Sequence, residues 1–195
     1  MWSSQEPDKL ELSHSVESVS VNPSCAAQVW YVVWETLATF VKAIVLAFLI
    51  IYFVAQTNVV YGASMEPTLH EKQRLIVEKV SYRLGGPQRG DVVVVNVVDS
   101  AVPLIKRVVG LPGETVEIRD NKVWVNGRIL DEPYLPPLWQ VNYPPTQVPE
   151  NYVFVMGDNR PVSRDSRAFG PVAIDQIRGH AWLTYWPLDA AGMIR

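Results

Sequence analysis

Ser64 is the first residue whose type and position could support chemistry. It lies in the segment VYGASMEPTL (60–69), which begins five residues after a long apolar run ends at Ala55. A serine hydroxyl attacks a carbonyl carbon once a neighbouring base accepts its proton. Glu66 excludes the G-x-S-x-G elbow, and the sequence alone does not show that His70 reaches the hydroxyl. Ser64 is therefore a candidate nucleophile, and a simple turn residue is the alternative.

Lys106 is the candidate base. It lies in PLIKRVVG (103–110), where aliphatic residues flank a pair of cations. Alternation along a strand places Lys106 and Arg107 on opposite faces, so at least one of them points toward apolar surroundings. Burial disfavours the charged ammonium and lowers its pKa, which makes the neutral amine available as a general base. A surface lysine on an edge strand is the alternative that this local pattern leaves open.

A third group of reactive side chains lies in MGDNRPVSRDSRAFGPV (156–172). Gly157, Asp158 and Asn159 favour a tight turn directly after a strand. The loop that follows is rich in hydrogen-bonding groups, namely Asp158, Arg160, Ser163, Arg164, Asp165, Ser166 and Arg167. Such a loop suits either a solvated surface or a shell that supports catalytic groups.

The elements that carry these groups are predicted to be β-strands. Runs rich in Val and Ile, separated by turn residues, occur at 74–80, 91–98, 104–110, 115–120, 152–158 and 177–186. Asp120-Asn121 and Asn126-Gly127 are hairpin signals on either side of a short apolar run. The predicted fold is mainly β, with an antiparallel barrel or sheet as the catalytic domain and one N-terminal transmembrane helix.

Residues 131–150 contain six prolines. Proline removes a backbone donor, so this segment cannot be a central strand. It is predicted to be an extended loop.

The apolar run from Leu37 to Ala55 predicts a membrane anchor. Its 19 residues contain one charge, Lys42, and as a helix they would span about 28 Å, close to the hydrocarbon thickness of a bilayer. A buried core helix is the alternative. The preceding segment is long and acidic, which does not fit a cleaved signal peptide. The predicted organisation is a poorly ordered leader (1–36, amphipathic near 28–36), an anchor (37–56) and a globular domain (57–195).

Composition narrows the function further. From residue 57 onward, 15 basic residues balance 15 acidic ones, so the domain lacks the positive charge expected of a nucleic-acid-binding protein. One cysteine and three scattered histidines give no metal-ligand spacing. No metal or other cofactor is expected.

The three groups and the anchor, in this order, resemble type I signal peptidases (leader peptidases) of the bacterial, cyanobacterial or thylakoidal kind. SMEPTL resembles the nucleophile box of that family, IKRVVGLPGE (105–114) its lysine box, and GDNRPVSRDSRAFG (157–170) its last box. VNGRILDEPYL (125–135) resembles its hairpin. The resemblance covers roughly residues 36–190.

The resemblance implies a serine/lysine endopeptidase that cleaves signal peptides from exported precursors. Ser64 would be the nucleophile, with its backbone N–H in the oxyanion hole, and Lys106 the general base. Ser163 would orient the lysine amine. Two scaffold pairs are implied as well: Asp165 with Arg167, and Asp158 with Arg107.

The resemblance also implies partners and a location. The partners are precursor proteins that carry signal peptides, the lipid bilayer and the protein-export translocon. The N-terminus would be cytoplasmic, and the catalytic domain would lie on the periplasmic or thylakoid-lumen side of a single-pass membrane anchor. Lys and Arg counts near the span do not decide this orientation. Met65 and Pro67 would form an apolar rim able to approach lipid or substrate.

Two positions depart from the family pattern. Some members have a serine two residues before the nucleophile that donates to the oxyanion, and Gly62 occupies that position in this chain. Pro161-Val162 replaces more polar residues in the last box.

Two other functions compete with this one. Self-cleaving repressor-type serine/lysine proteases resemble the core but are soluble and linked to DNA, which the anchor and the charge balance disfavour. An inactive homologue, a membrane-tethered β-domain that only binds a partner, is the second.

Overall fold

The computed structural model describes residues 25–79, 82, 85–98, 100–135 and 140–194. The predicted leader lies outside these residues as far as position 24. The chain divides into two units, Met1–Leu46 and Ala47–Arg195.

Helix α1 spans Cys25–Val54, so it begins before Leu37, within the segment assigned to the leader. The stretch Ala27–Leu49 is long and apolar enough to cross a membrane, with a mean hydropathy of 1.9. Every side chain of the stretch except that of Ala38 is exposed, and none is buried. The buried core helix considered as an alternative is therefore wrong.

The rest of the chain is mainly antiparallel β-structure. The described residues of this part of the chain form twelve strands: β1 (Ala55–Val59), β2 (Arg74–Glu78), β3 (Val92–Val95), β4 (Leu104–Gly110), β5 (Thr115–Arg119), β6 (Lys122–Val125), β7 (Arg128–Ile129), β8 (Tyr143–Gln147), β9 (Tyr152–Met156), β10 (Val172–Ala173), β11 (Ile177–Trp186) and β12 (Gly192–Met193). A short helix, α2 (Ser166–Phe169), separates β9 from β10.

The strands form two sheets. The larger sheet has the order β1-β2-β11-β3-β4-β9-β10, with β12 also paired to β11, and the smaller has the order β7-β6-β5-β8. Every pairing is antiparallel. The predicted fold class is thus confirmed.

Turn chemistry determines the two predicted hairpins of the smaller sheet. Asp120 and Asn121, between β5 and β6, have φ values of 51° and 59°. Asn126 and Gly127, between β6 and β7, have φ values of 51° and 76°. Two successive residues with positive φ are what the tight turn of a two-residue hairpin requires, so both sequence signals are confirmed.

The proline-rich segment differs from the prediction. Five of its residues form β8, which includes Pro144 and Pro145, so the prediction of a loop is wrong there. Among the described strands, β8 pairs with β5 alone and lies at an edge of the smaller sheet. The edge tolerates proline because its missing N–H is not needed for a second partner strand.

Buried side chains form a core on each face of the larger sheet and another on the smaller sheet. Met65 and Leu69, from the Ser64 segment, pack with Leu75 and Val77 of β2 in one cluster. Valines of β3, β4 and β9 form the cluster on the opposite face. All four residues of β3 are buried, which explains their uninterrupted Val run.

Candidate active site

Ser64 lies in a turn of the segment between β1 and β2. Its side chain is partly exposed, whereas Met65 beside it is only 1% exposed and belongs to the core. Met65 thus anchors the segment, and its assignment to an exposed apolar rim is wrong; Pro67 is exposed. The Ser64 carbonyl accepts a hydrogen bond of 3.0 Å from the Asn159 N–H, which joins this turn to the third polar group.

Lys106 lies on β4, between β3 and β9 in the larger sheet. β4 is not an edge strand, so the surface-lysine alternative is wrong. Lys106 and Arg107 are both buried, at 2% and 1% exposure. The Lys106 Nζ atom lies 2.7 Å from Ser64 Oγ and 3.0 Å from the carbonyl oxygen of Ile105.

Burial lowers the pKa of Lys106 from 10.5 to about 8. The carboxylates of Asp165 and Asp158 act in the opposite direction, and Arg167 adds to the lowering. Loss of hydration is the largest of these effects because the amine is almost fully enclosed. An appreciable fraction of neutral Lys106 is therefore present near pH 8, in contact with the serine hydroxyl.

Arg107 points away from Lys106 and forms a buried ion pair with Asp158. Arg107 Nε lies 2.9 Å from Asp158 Oδ1, and Nη2 lies 2.6 Å from Oδ2. Asp158 also accepts a hydrogen bond of 2.6 Å from the Thr68 hydroxyl, four residues after Ser64. The bidentate ion pair therefore connects β4 with the Ser64 segment through Thr68.

Arg107 makes two further contacts. It donates to the Gly90 carbonyl at 2.8 Å, and its guanidinium carbon lies 4.0 Å from the Tyr134 ring centroid.

Asp165 is fully buried and is the N-cap of α2. It accepts hydrogen bonds from Arg167 Nε and Nη2, both at 2.8 Å, and from the Gly157 N–H at 3.0 Å. Ser166 Oγ accepts one from the Val155 N–H of β9 at 2.9 Å. These contacts hold the loop of residues 157–163 against β9.

Ser163 lies in this loop with its hydroxyl buried. Among the described residues, the hydroxyl has no hydrogen-bond partner. A Cβ atom on Gly157 would stand 2.2 Å from Ser163 Oγ and 2.4 Å from the Ser64 carbonyl oxygen. The hydroxyl thus lies beside the Ser64 backbone, and its action on the Lys106 amine stays a prediction.

Gly62 and the Ser64 N–H bear on how an oxyanion would be bound. Gly62 has a φ of 74°, which favours glycine, and a Cβ there would meet nothing within 4 Å. Within the described part of the chain, the Ser64 N–H donates no hydrogen bond. It is therefore free to donate to a negatively charged oxygen.

The structure adds residues that the sequence reasoning did not single out. Gly157 permits the close approach of the two loops, and Thr68 links the Ser64 segment to Asp158. Glu132 and Tyr134 lie near the arginines of the site. Glu132 and Tyr134 fall within the hairpin segment VNGRILDEPYL, and that position was their only signal in the sequence.

The contact between Lys106 Nζ and Ser64 Oγ is the arrangement that a serine hydrolase with a lysine base requires. The family model "Signal peptidase, peptidase S26" matches residues 33–186. A probable signal peptidase I-2 from Synechocystis is 42% identical over 164 residues, or 80% of this chain and 74% of the relative. A probable signal peptidase I-1 from the same organism is 39% identical over 173 residues, or 85% and 88% of the two chains.

Among solved structures, a crystal structure of a signal peptidase I from Enterococcus faecalis shares 38% identity, with a TM-score of 0.43 over 48% of this chain and 95% of that chain. The chain belongs to the signal peptidase family, peptidase S26, and is a serine endopeptidase. None of these relatives supports the inactive alternative.

Proposed function

We propose that this protein is a membrane-anchored endopeptidase that removes N-terminal signal peptides from exported precursors, with Ser64 as nucleophile and Lys106 as general base. The observation that carries the proposal is the 2.7 Å contact between Lys106 Nζ and Ser64 Oγ. The family membership of the chain supplies the substrate class.

The reaction begins with the neutral amine of Lys106. It accepts the proton of the Ser64 hydroxyl while Ser64 Oγ attacks the scissile carbonyl carbon. The tetrahedral intermediate collapses to an acyl-enzyme, and the lysine ammonium returns the proton to the leaving amine. The neutral amine then activates a water molecule, which hydrolyses the ester and restores the serine.

The other predicted site residues support these two groups. The Ser64 N–H donates to the oxyanion of the intermediate. The buried Ser163 hydroxyl orients the Lys106 amine, as the third member of a triad orients its base. The ion pairs Asp165–Arg167 and Arg107–Asp158 fix the loop and the strand that carry these residues.

The apolar helix α1 supports a membrane location for the proposed enzyme. The stretch Ala27–Leu49 crosses a bacterial inner or thylakoid membrane once, with the N-terminus in the cytoplasm. The catalytic domain faces the periplasm or the thylakoid lumen. Ser64 lies ten residues after the last residue of α1, Val54, so the bilayer and the export translocon that delivers precursors are its expected partners.

The test is cleavage of a signal-peptide precursor by the purified full-length protein, with the cut site mapped. Ser64→Ala and Lys106→Ala should each lower kcat by about 10³ or more, because each removes a group that acts in the bond-breaking steps. Lys106→Arg should fail as well, since guanidinium stays charged near neutral pH.

Ser100→Ala and Lys122→Ala, in a loop and on an exposed strand position, are the matched controls and should keep wild-type activity. Wild-type cleavage by a folded Ser64→Ala protein would contradict the proposal.

A further inference from the structure

Arg160 and Glu132 form a buried ion pair outside the proposed catalytic residues. Their side chains are 1% and 7% exposed. Arg160 Nη2 lies 2.5 Å from Glu132 Oε1, and Nη1 lies 3.1 Å from Oε2, so the contact is bidentate. A buried ion pair is tolerated only when such geometry satisfies both groups.

Arg160 connects the ion pair to the loop of residues 157–163, in which it lies. Arg160 Nε donates to the Gly157 carbonyl at 3.1 Å, and the Arg160 carbonyl accepts from Arg167 Nη2 at 2.8 Å. The same loop donates from Asn159 to the Ser64 carbonyl at 3.0 Å and contains Ser163. We therefore expect a change at Arg160 to displace the backbone that contacts Ser64.

On the Glu132 side, the ion pair is connected to the strand of the lysine. The Tyr134 hydroxyl donates to Glu132 Oε1 at 2.9 Å. The Tyr134 ring lies 4.0 Å from the guanidinium carbon of Arg107, the residue after Lys106. Glu132 is thus joined both to the loop and to β4.

We propose that Glu132 is a positioning residue for the serine/lysine reaction: through Arg160 it holds the loop of residues 157–163, and through Tyr134 it holds the Lys106 strand. This proposal rests on the proposed function. It assigns a catalytic consequence to the segment 131–135, which lies outside the three boxes that contain the reacting groups. The consequence is that the loop keeps its contact with the Ser64 turn, whose hydroxyl lies 2.7 Å from the Lys106 amine, and limits the access of water to that amine.

The first test is steady-state cleavage of a precursor by the full-length Glu132→Gln protein. This change keeps the size of the side chain and removes its charge. We expect kcat to fall about 10- to 100-fold, because a small displacement of the reacting groups is costly. KM should change less than about threefold, since the Glu132 side chain is only 7% exposed. Glu117→Gln, the same substitution at a partly exposed ion pair of β5, should leave both constants unchanged.

The second readout is the pH dependence of kcat/KM, which should rise through about pH 8 in the wild type. A loosened loop admits water to Lys106, so Glu132→Gln should move this midpoint upward by about half a pH unit or more. Arg160→Lys keeps the charge but loses the bidentate fork, and it should show the same shift. The double variant Glu132→Gln/Arg160→Lys should lose no more activity than the more impaired single variant.

Several results would overturn the proposal. Wild-type kcat and midpoint in Glu132→Gln would do so. A loss confined to KM would place the segment 131–135 at the substrate instead. A downward shift in Glu132→Gln alone would indicate a direct charge effect on the amine. If Ser64→Ala also stayed active, the proposed function itself would fail; an inactive Ser64→Ala beside a wild-type-like Glu132→Gln rejects only the positioning role.

Discussion

Burial of Lys106, the proposed general base, is expected to lower the stability of the folded protein. Its amine is enclosed in the core of the larger sheet, and burial lowers its pKa to about 8. In the unfolded chain the same amine keeps a pKa near 10.5. Below pH 8 both the folded and the unfolded state bind the proton. The folded state then contains a buried charged amine, which lowers the free energy of unfolding by its full amount. Between pH 8 and about 10.5 the folded state releases the proton first, and the stability of the protein rises.

Replacing Lys106 with methionine should therefore stabilise the protein. At pH 6 to 7 we expect Lys106→Met to raise the free energy of unfolding by about 3–4 kcal/mol, because burial lowers the pKa of Lys106 from 10.5 to about 8 and each tenfold change in proton affinity corresponds to ~1.4 kcal/mol. The gain should shrink as the pH rises from 8 toward 10.5. Urea unfolding of wild type and variant at several pH values measures it, and the variant should be inactive throughout.

Lys122→Met is the matched control for this change. Lys122 is exposed at the start of β6, so its replacement should change stability little at any of these pH values. A Lys106→Met protein that is less stable than wild type at pH 6 would contradict the account of the buried amine.

At the scale of the elements, the site depends on how closely the Ser64 turn approaches the loop after β9. Gly157 is the point of contact: a Cβ there would stand 2.2 Å from Ser163 Oγ and 2.4 Å from the Ser64 carbonyl oxygen. Both distances are far below van der Waals contact, and the second atom belongs to the backbone. The two loops must separate to admit even a methyl group.

We expect Gly157→Ala to lower kcat by about 100-fold and to destabilise the fold by about 1–3 kcal/mol, because overpacking shifts the backbone of both loops. Gly192→Ala is the control, since a Cβ at Gly192 meets nothing within 4 Å. Precursor cleavage and thermal unfolding of both variants provide the comparison. Wild-type activity in Gly157→Ala would show that the close approach is not required.

The elements also show what local sequence can predict. β4 and β11 have the predicted bounds, because runs of strand-forming residues end at turn residues on both sides. β1 follows α1 without a turn residue, and its sequence AQTNV has no apolar alternation, so nothing local marks it. β8 was hidden by its prolines, which are acceptable only because the sheet ends there.

The candidate site was predictable to a similar degree. The Ser64, Lys106 and 157–170 boxes are each continuous in sequence, and their occurrence in this order after an apolar run made them recognisable together. The contacts among Glu132, Tyr134 and Arg160 join residues up to 28 positions apart, and their partners are decided by tertiary packing. The burial of Met65 beside a partly exposed Ser64 is likewise a property of the folded chain.

At the scale of the whole molecule, the end of α1 at Val54 divides the proposed membrane anchor from the β-structure that contains Ser64 and Lys106. α1 ends at Val54, and β1 begins at Ala55 and pairs with β2 from Ala55↔Glu78 to Val59↔Arg74. β1 lies at the edge of the larger sheet. A chain that starts at residue 55 keeps this strand, whereas one that starts at residue 60 exposes the edge of β2.

We expect the chain of residues 55–195 to cleave a short soluble signal-peptide substrate with a kcat/KM within about threefold of the full chain. Its cleavage of a precursor embedded in liposomes should fall about 10- to 100-fold, because the anchor raises the effective concentration of enzyme and substrate at the same surface. The chain of residues 60–195 should unfold at a lower temperature and lose activity on both substrates, since β2 has lost a partner strand. Equal cleavage of the liposome precursor by the full chain and by residues 55–195 would show that the anchor contributes nothing to catalysis at the membrane.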